Sequence, residues 1–237
     1  MNKIFSILFI VVFLNSCSNP KLIRDELVYD NDFENNSLES IDGGGIFNYN
    51  GDNVIGNFNN DGFDLHLNDL GPHDYVFVSF DLYIHGSWDG NFNGFKKDIH
   101  GYSDKPDLWV MELRPGMGGF QNEDFQKFET TFSNSVCVPG FCLRQSYPNS
   151  YPFENNPKSG YWAKDLKENC LSEGWNNVKT TMYKVEKGFN NRGNALVIRF
   201  YDNLYQPNAI DSNGNSLEKC DESWSIDNLK IRVIGYD

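Results

Sequence analysis

Beyond its first twenty residues the chain has no run apolar enough to cross a bilayer. It also lacks a convincing amphipathic helix, since "SGYWAKDLKENC" holds one turn at most. Basic residues are scarce: 20 Lys and Arg stand against 33 Asp and Glu, a net charge of −13. A chain this acidic has no electrostatic footprint for phosphate backbones, which argues against nucleic acid as a partner. The four histidines, His66, His73, His85 and His100, show no HExxH-like spacing, so nothing points to a catalytic zinc. "GGG" at 43–45 is followed by no Lys-Ser/Thr and no helix, so it is not a phosphate loop. There is no serine nucleophile elbow and no contiguous EF-hand loop.

What is present is aromatic and turn-rich. Aromatics make up 15% of the 237 residues, with 21 Gly and abundant Asn, as expected of an exported β-protein. The start, "MNKIFSILFIVVFLNSCSNP", has Lys3, an apolar run from Ile4 to Leu14, then small residues before Cys17. This resembles a bacterial lipoprotein signal, with Leu14, Asn15, Ser16 and Cys17 as the lipobox. The expected layout is a signal peptide over 1–16, a lipidated tether over 17–27 beginning at Cys17, and one domain over 28–237. An ordinary secretory signal with a chance cysteine is the alternative. The expected location is the bacterial cell envelope, lipid-anchored to a membrane and facing periplasm or exterior.

Four further cysteines remain: Cys137, Cys142, Cys170 and Cys220. An even count in an exported chain implies two disulfides, and four cysteines allow three pairings. Cys137 and Cys142 flank Val138, Pro139, Gly140 and Phe141, a tight-turn sequence, so they are expected to pair, leaving Cys170 with Cys220. A cysteine zinc site would want Cys-x-x-Cys spacing, which is absent.

Strand signals recur along the chain. Val76, Val78, Phe80, Leu82 and Ile84 alternate with Phe77, Ser79, Asp81, Tyr83 and His85, a period of two. Other expected strands cover 27–34, 61–67, 107–113, 127–134, 175–185, 195–203 and 223–236, with "EKGFNNRGN" read as a hairpin loop. Trp109, Met111 and Leu113 share one face of theirs. Strands with unlike faces and turn-punctuated spacing predict an all-β, two-sheet antiparallel β-sandwich of jelly-roll type with little helix. A closed barrel is the second architecture.

The pieces "FDLYIHGSWDGN", "DLWVMEL", "TTFSN", "QSYPNSYP" and "DESWSIDNLKI" resemble a domain of bacterial extracellular proteins. More broadly they resemble the concanavalin A-like and carbohydrate-binding-module jelly rolls. That resemblance implies a calcium-stabilised sandwich with a ligand face, often for glycans. In its calcium-binding members an acidic first strand often meets an Asp of the last strand. Here that would be Asp30, Asp32 and Glu34 with Asp227, whose face is read as shared with Leu229, Ile231 and Val233.

Chain direction suggests a first cation site. The strand from Val76 ends in Trp88, Asp89 and Asn91; another begins at Asp107; the last begins after Asp221 and Glu222. A Cys170–Cys220 bridge would gather these ends at one pole. Calcium wants six to eight oxygens, more than one short loop supplies, so Asp89, Asn91, Asp107, Asp221 and Glu222 are the candidate ligands. Asp, Asn and Gly are also ordinary turn residues.

For ligand contact the candidates are Asp81, Tyr83 and His85 on a polar face, with Trp88, Tyr147, Tyr151, Tyr161 and Trp162 from neighbouring loops. The 143–162 segment has little regular structure, a trait of functional loops. The plainer reading makes these aromatics part of the core. Many concanavalin A-like hydrolases carry closely alternating carboxylates such as Glu-x-Asp-x-x-Glu, and the chain has no such run. The expected function is therefore a non-enzymatic, lipid-anchored binding module for a glycan or envelope component. A protein-binding adhesion lipoprotein and a polysaccharide hydrolase or lyase are the alternatives.

Overall fold

Period-two alternation makes strands with unlike faces, and the longest strands bury one face completely. The computed structural model describes residues 20–92, 97–98, 101–102, 106–115, 125–170, 179–204, 214 and 217–237. The signal peptide, Cys17 and positions 175–178 of an expected strand lie outside these residues. The strands are β1 (Leu22–Asn31), β2 (Ile41–Asp42), β3 (Ile46–Tyr49), β4 (Asp52–Phe58), β5 (Gly62–Leu67), β6 (Tyr75–Gly86), β7 (Lys97–Asp98) and β8 (Gly101–Tyr102). They continue with β9 (Leu108–Pro115), β10 (Gln126–Thr130), β11 (Ala163–Leu166), β12 (Thr180–Asn190), β13 (Leu196–Asn203) and β14 (Glu222–Tyr236). A single helical turn, α1 (Glu218–Asp221), precedes β14.

Two antiparallel sheets face each other. One runs β11-β12-β6-β14-β4-β3, with β1 also on β14, and the other runs β10-β9-β13-β5-β2. Number β4, β5, β6, β9, β10, β12, β13 and β14 one to eight: the sheets become 1-8-3-6 against 2-7-4-5, the jelly-roll order. Because the chain keeps switching sheets, one expectation changes. β9 begins in the sheet facing β6. β12 and β13 do not form the expected hairpin: β12 runs through most of the expected loop to Asn190, and β13 returns in the other sheet.

The core lies between the sheets. Phe80, Leu82 and Ile84 of β6, Trp224 and Ile226 of β14, and Trp109 and Met111 of β9 are all buried, with Phe200 of β13. Phe200 stacks on Phe63 at 4.7 Å between centroids, and Trp109 meets Trp224 edge-on at 5.8 Å.

β3 and β4 form a hairpin absent from the sequence reading. Its loop is Asn50–Gly51, both with positive φ (56° and 105°), the backbone a two-residue hairpin loop demands. The hairpin curls over the outer face of the larger sheet, bringing the Tyr49 ring 4.8 Å from His85 and 5.2 Å from Tyr83. Part of the span expected as tether is strand. β1 starts at Leu22 and pairs with the end of β14, and Lys21 hydrogen-bonds Asp237.

Candidate functional site

All the strand ends named in the cation expectation meet at one pole. β6 finishes there at Gly86, β13 at Asn203 and β10 at Thr130; β9 and β14 start there. Two glycines bring the connecting loop in. At Gly86 (φ +79°) an added Cβ would sit 1.9 Å from the Asp221 carbonyl oxygen, the atom that accepts from Ser87 N at 2.7 Å. At Gly90 (φ +69°) it would sit 2.1 Å from the Arg144 carbonyl oxygen. Only glycine tolerates both the left-handed backbone and the close approach. The Cys170–Cys220 disulfide, with Cα atoms 5.4 Å apart, ties α1 to the segment before β12. Asn169 Nδ2 adds bonds to the Lys219 carbonyl (2.8 Å) and Ser223 Oγ (2.9 Å).

Three carboxylates result, from three distant segments. Asp89, Asp107 and Glu222 place oxygens within 4.8 Å of one another, with Asp107 and Glu222 buried. Asp107 Oδ2 also accepts the Asp89 backbone N–H at 3.2 Å. The other two expected ligands are turned to structural tasks. Asn91 Oδ1 accepts from Ser146 Oγ (2.8 Å) and Thr131 Oγ1, while its Nδ2 donates to the Phe153 carbonyl. Asp221 Oδ1 accepts from Ser87 Oγ at 2.7 Å.

The second expected cation set does not gather. Among the described residues, Asp89, Asp107 and Glu222 are the one group of three metal-ligating side chains within reach of each other. Asp32 Oδ1 accepts the Glu34 N–H, and Glu34 Oε1 accepts the Asn53 N–H. Asp227 lies on the outer face, not with Leu229, Ile231 and Val233. A register shift between Asp227 and Lys230, with Asn228 at φ 53°, reverses the alternation. Asp227 therefore stands opposite Asp81 across the strands. Asn228 Nδ2 bridges the two carboxylates at 3.0 Å each, and Lys184 Nζ lies 3.4 Å from Asp81. Burial foremost, then Asp81, pushes the Asp227 carboxyl up to about 6.

The expected ligand residues divide between interior and surface. His85 is fully buried beneath the β3–β4 hairpin, held by Thr180 Oγ1 (2.9 Å) and Ser225 Oγ (3.1 Å), and burial lowers its pKa to about 3. It is a neutral structural histidine, not an open ligand group. Trp88 is fully buried and donates its indole N–H to the Ser223 carbonyl at 3.1 Å. Tyr147 is buried against Phe132 and Tyr183, each 5.0 Å away. Asp81 is buried and Tyr83 is half-covered by Tyr49. Tyr151 is half-buried, its N–H donated to the Glu129 carbonyl at 2.8 Å. Of this set Tyr161 (45% exposed) and Trp162 (66%) are the open ones. Lys164 Nζ lies 5.2 Å from the Tyr161 ring centre and Lys184 Nζ 4.9 Å from that of Trp162.

Beside them is a feature the sequence marked only as a disulfide turn. Cys137 and Cys142 are bonded, and between them Val138 and Phe141 exchange two backbone hydrogen bonds of 2.9 and 3.0 Å. The loop exposes Val136 (72%) and Phe141 (55%). It adjoins the acidic pole: Phe141 meets Phe92 at 6.3 Å between ring centres, Asp89 pairs with Ser133, and Asn91 N donates to the Arg144 carbonyl.

A further polar group lies on the outer face of the smaller sheet. Tyr201 donates to Glu112 Oε1 at 2.5 Å, and Arg114 Nη2 lies 2.5 Å from Glu112 Oε2. Burial and the neighbouring Glu112 keep the Tyr201 phenol protonated, which makes it a donor rather than a base. Arg199 and Tyr201, alternating with Ile198 and Phe200 in "VIRFYDN", carried this signal in the sequence.

Fold and site together define an all-β two-sheet sandwich with one acidic, aromatic-rimmed pole. No protein-family model matches the chain, and no curated protein matches it significantly.

Proposed function

We propose that this is an exported, lipid-anchored binding module that holds calcium at Asp89, Asp107 and Glu222 and binds carbohydrate with its exposed aromatics. One observation carries the reading: the carboxylate trio lies at a pole tied down by the Cys170–Cys220 bridge and adjoined by the Cys137–Cys142 loop, whose Phe141 shares a groove with Tyr161, next in sequence to the exposed Trp162. Three carboxylates from distant segments form an all-oxygen donor set of the kind a hard divalent cation takes. Disulfides fit an oxidising, exported location. The chain enters at the other pole, where Leu22 pairs with Tyr236, 14 residues along β14 from Glu222, or roughly 45 Å. Leu22, Ile23, Tyr75 and Tyr236 are exposed there and suit a bilayer interface, so a lipid on Cys17 would present the acidic pole outward. The three carboxylates lie within 4.8 Å of one another and two of them are buried, which leaves no room for a sugar between a glycosidase pair and weighs against hydrolysis.

The test is retention on insoluble polysaccharides. The wild type is expected to bind at least one, and Trp162→Ala to lose about tenfold in affinity. Unchanged retention in Trp162→Ala, or none in the wild type, contradicts the reading. Protein adhesion is the second reading, favoured by the exposed aliphatic Val136 and Val138.

A further inference from the structure

The groove between the disulfide loop and the 156–165 segment has a charge unlike the rest of the molecule. It is a cavity of about 800 Å³ walled by Phe141 and Tyr161. Its charged lining is Arg144, Lys158 and Lys164 against Asp165 alone. In a chain of net charge −13, three cations facing one anion is a local reversal of sign.

The cations are also positioned. Arg144 donates from Nη1 to Asn156 Oδ1, and its own carbonyl is fixed by Asn91. Lys158 has a left-handed backbone (φ +60°), costly for a residue with a Cβ. Two bonds hold it there, from its N–H to Gln145 Oε1 (2.7 Å) and to the Ser133 carbonyl (3.2 Å). That conformation leaves only 17% of the Lys158 side chain exposed, with the ammonium 3.8 Å from Asp165. At that distance the pairing is loose, and a stronger anion can compete for the ammonium. Asp165 is itself left-handed (φ +57°) and mostly exposed. Strain concentrated on two charged residues facing one groove fits a ligand site.

We infer that this groove binds an acidic polysaccharide: the rings take sugar faces, and Arg144, Lys158 and Lys164 take the carboxylate or sulfate groups. This rests on the carbohydrate reading above and names the class of glycan. Arg144 and Lys158, already held by these hydrogen bonds, lower the ordering cost of binding. Removing any one of these charge-assisted hydrogen bonds should weaken binding about tenfold.

The experiment measures binding of the full chain, in mild detergent, to four soluble polymers. These are polygalacturonate (uronate), dextran sulfate (sulfate ester), unmodified dextran (neutral) and polyglutamate (charge without sugar). Binding to polygalacturonate, dextran sulfate or both is expected, well above dextran and polyglutamate, and which of the two binds identifies the acidic group. Lys158→Gln, Arg144→Gln and the exposed Lys164→Gln should each weaken it about tenfold, with unchanged melting temperature for Lys164→Gln. Raising salt should weaken it further. Equal binding to dextran, equal binding to polyglutamate, or full affinity in Lys164→Gln and Lys158→Gln overturns the inference while leaving carbohydrate binding intact. Failure to bind these polymers and any insoluble polysaccharide overturns both. Capture of a protein ligand through this groove, with no glycan bound, replaces them with adhesion.

Discussion

Asp202 is a buried carboxylate that pins one strand end to another. Its Oδ2 accepts the Trp224 indole N–H at 2.6 Å and its Oδ1 the Asn60 N–H at 2.6 Å. Burial outweighs these bonds and pushes the carboxyl from 3.8 to about 6. Such a group binds its proton more tightly folded than unfolded, so its contribution is fully favourable below about pH 4 and declines as pH rises through 6. Asp227 has the same sign. His85 has the opposite sign: with its pKa lowered to about 3, its contribution is intact above 6.5 and disappears as pH falls. The prediction isolates one group. Denaturant midpoints of Asp202→Asn should rise relative to wild type as pH goes from 4 to 7; a gap that does not change with pH contradicts the assignment. Residue types were legible in the sequence here, but environments were not. His85 reads as outward by alternation, and it is outward; what the alternation cannot show is a second layer folding over that face.

Between residues and the whole stand the elements. The β3–β4 hairpin was legible, since Asn50-Gly51 between apolar stretches is a strong short-range turn signal, yet no strand was expected there. β12 and β13 were legible as strands but their true partners were not, because sequence adjacency favours a hairpin and only sheet pairing shows the crossover. The Asn228 bulge was invisible for another reason: one inserted position reverses the facing of every residue before it, and nothing in "SIDNLKI" announces it. Gly90→Ala should cost about 2 kcal/mol or more in chemical denaturation, because its Cβ meets backbone rather than a movable side chain. A stability close to wild type would contradict the close approach. Replacing Cys170 and Cys220 by serine opens a bridge spanning 50 residues and should cost roughly 3 to 4 kcal/mol. A cost well under about 1 kcal/mol would mean the pole is held without it.

For the molecule as a whole, the two-sheet sandwich followed from alternation and turn spacing, and both disulfide pairings from spacing and count. The meeting of Asp89, Asp107 and Glu222 followed from strand direction, since in a jelly roll alternate strand ends collect at one pole. Which side chains at that pole turn inward did not follow. Asn91 and Asp221 are instead taken up by local hydrogen bonds to Ser146 and Ser87. The basic groove stayed hidden because its cations come from three short segments of an acidic chain.

The account turns on a cation at the acidic pole, and the most direct measurement is thermal unfolding of the chain with excess calcium and with chelator. Calcium at a hundredfold over its dissociation constant should raise the melting temperature by about 5 to 10 °C. Glu222→Gln should abolish the difference. A melting temperature that is the same in calcium and in chelator contradicts the claim.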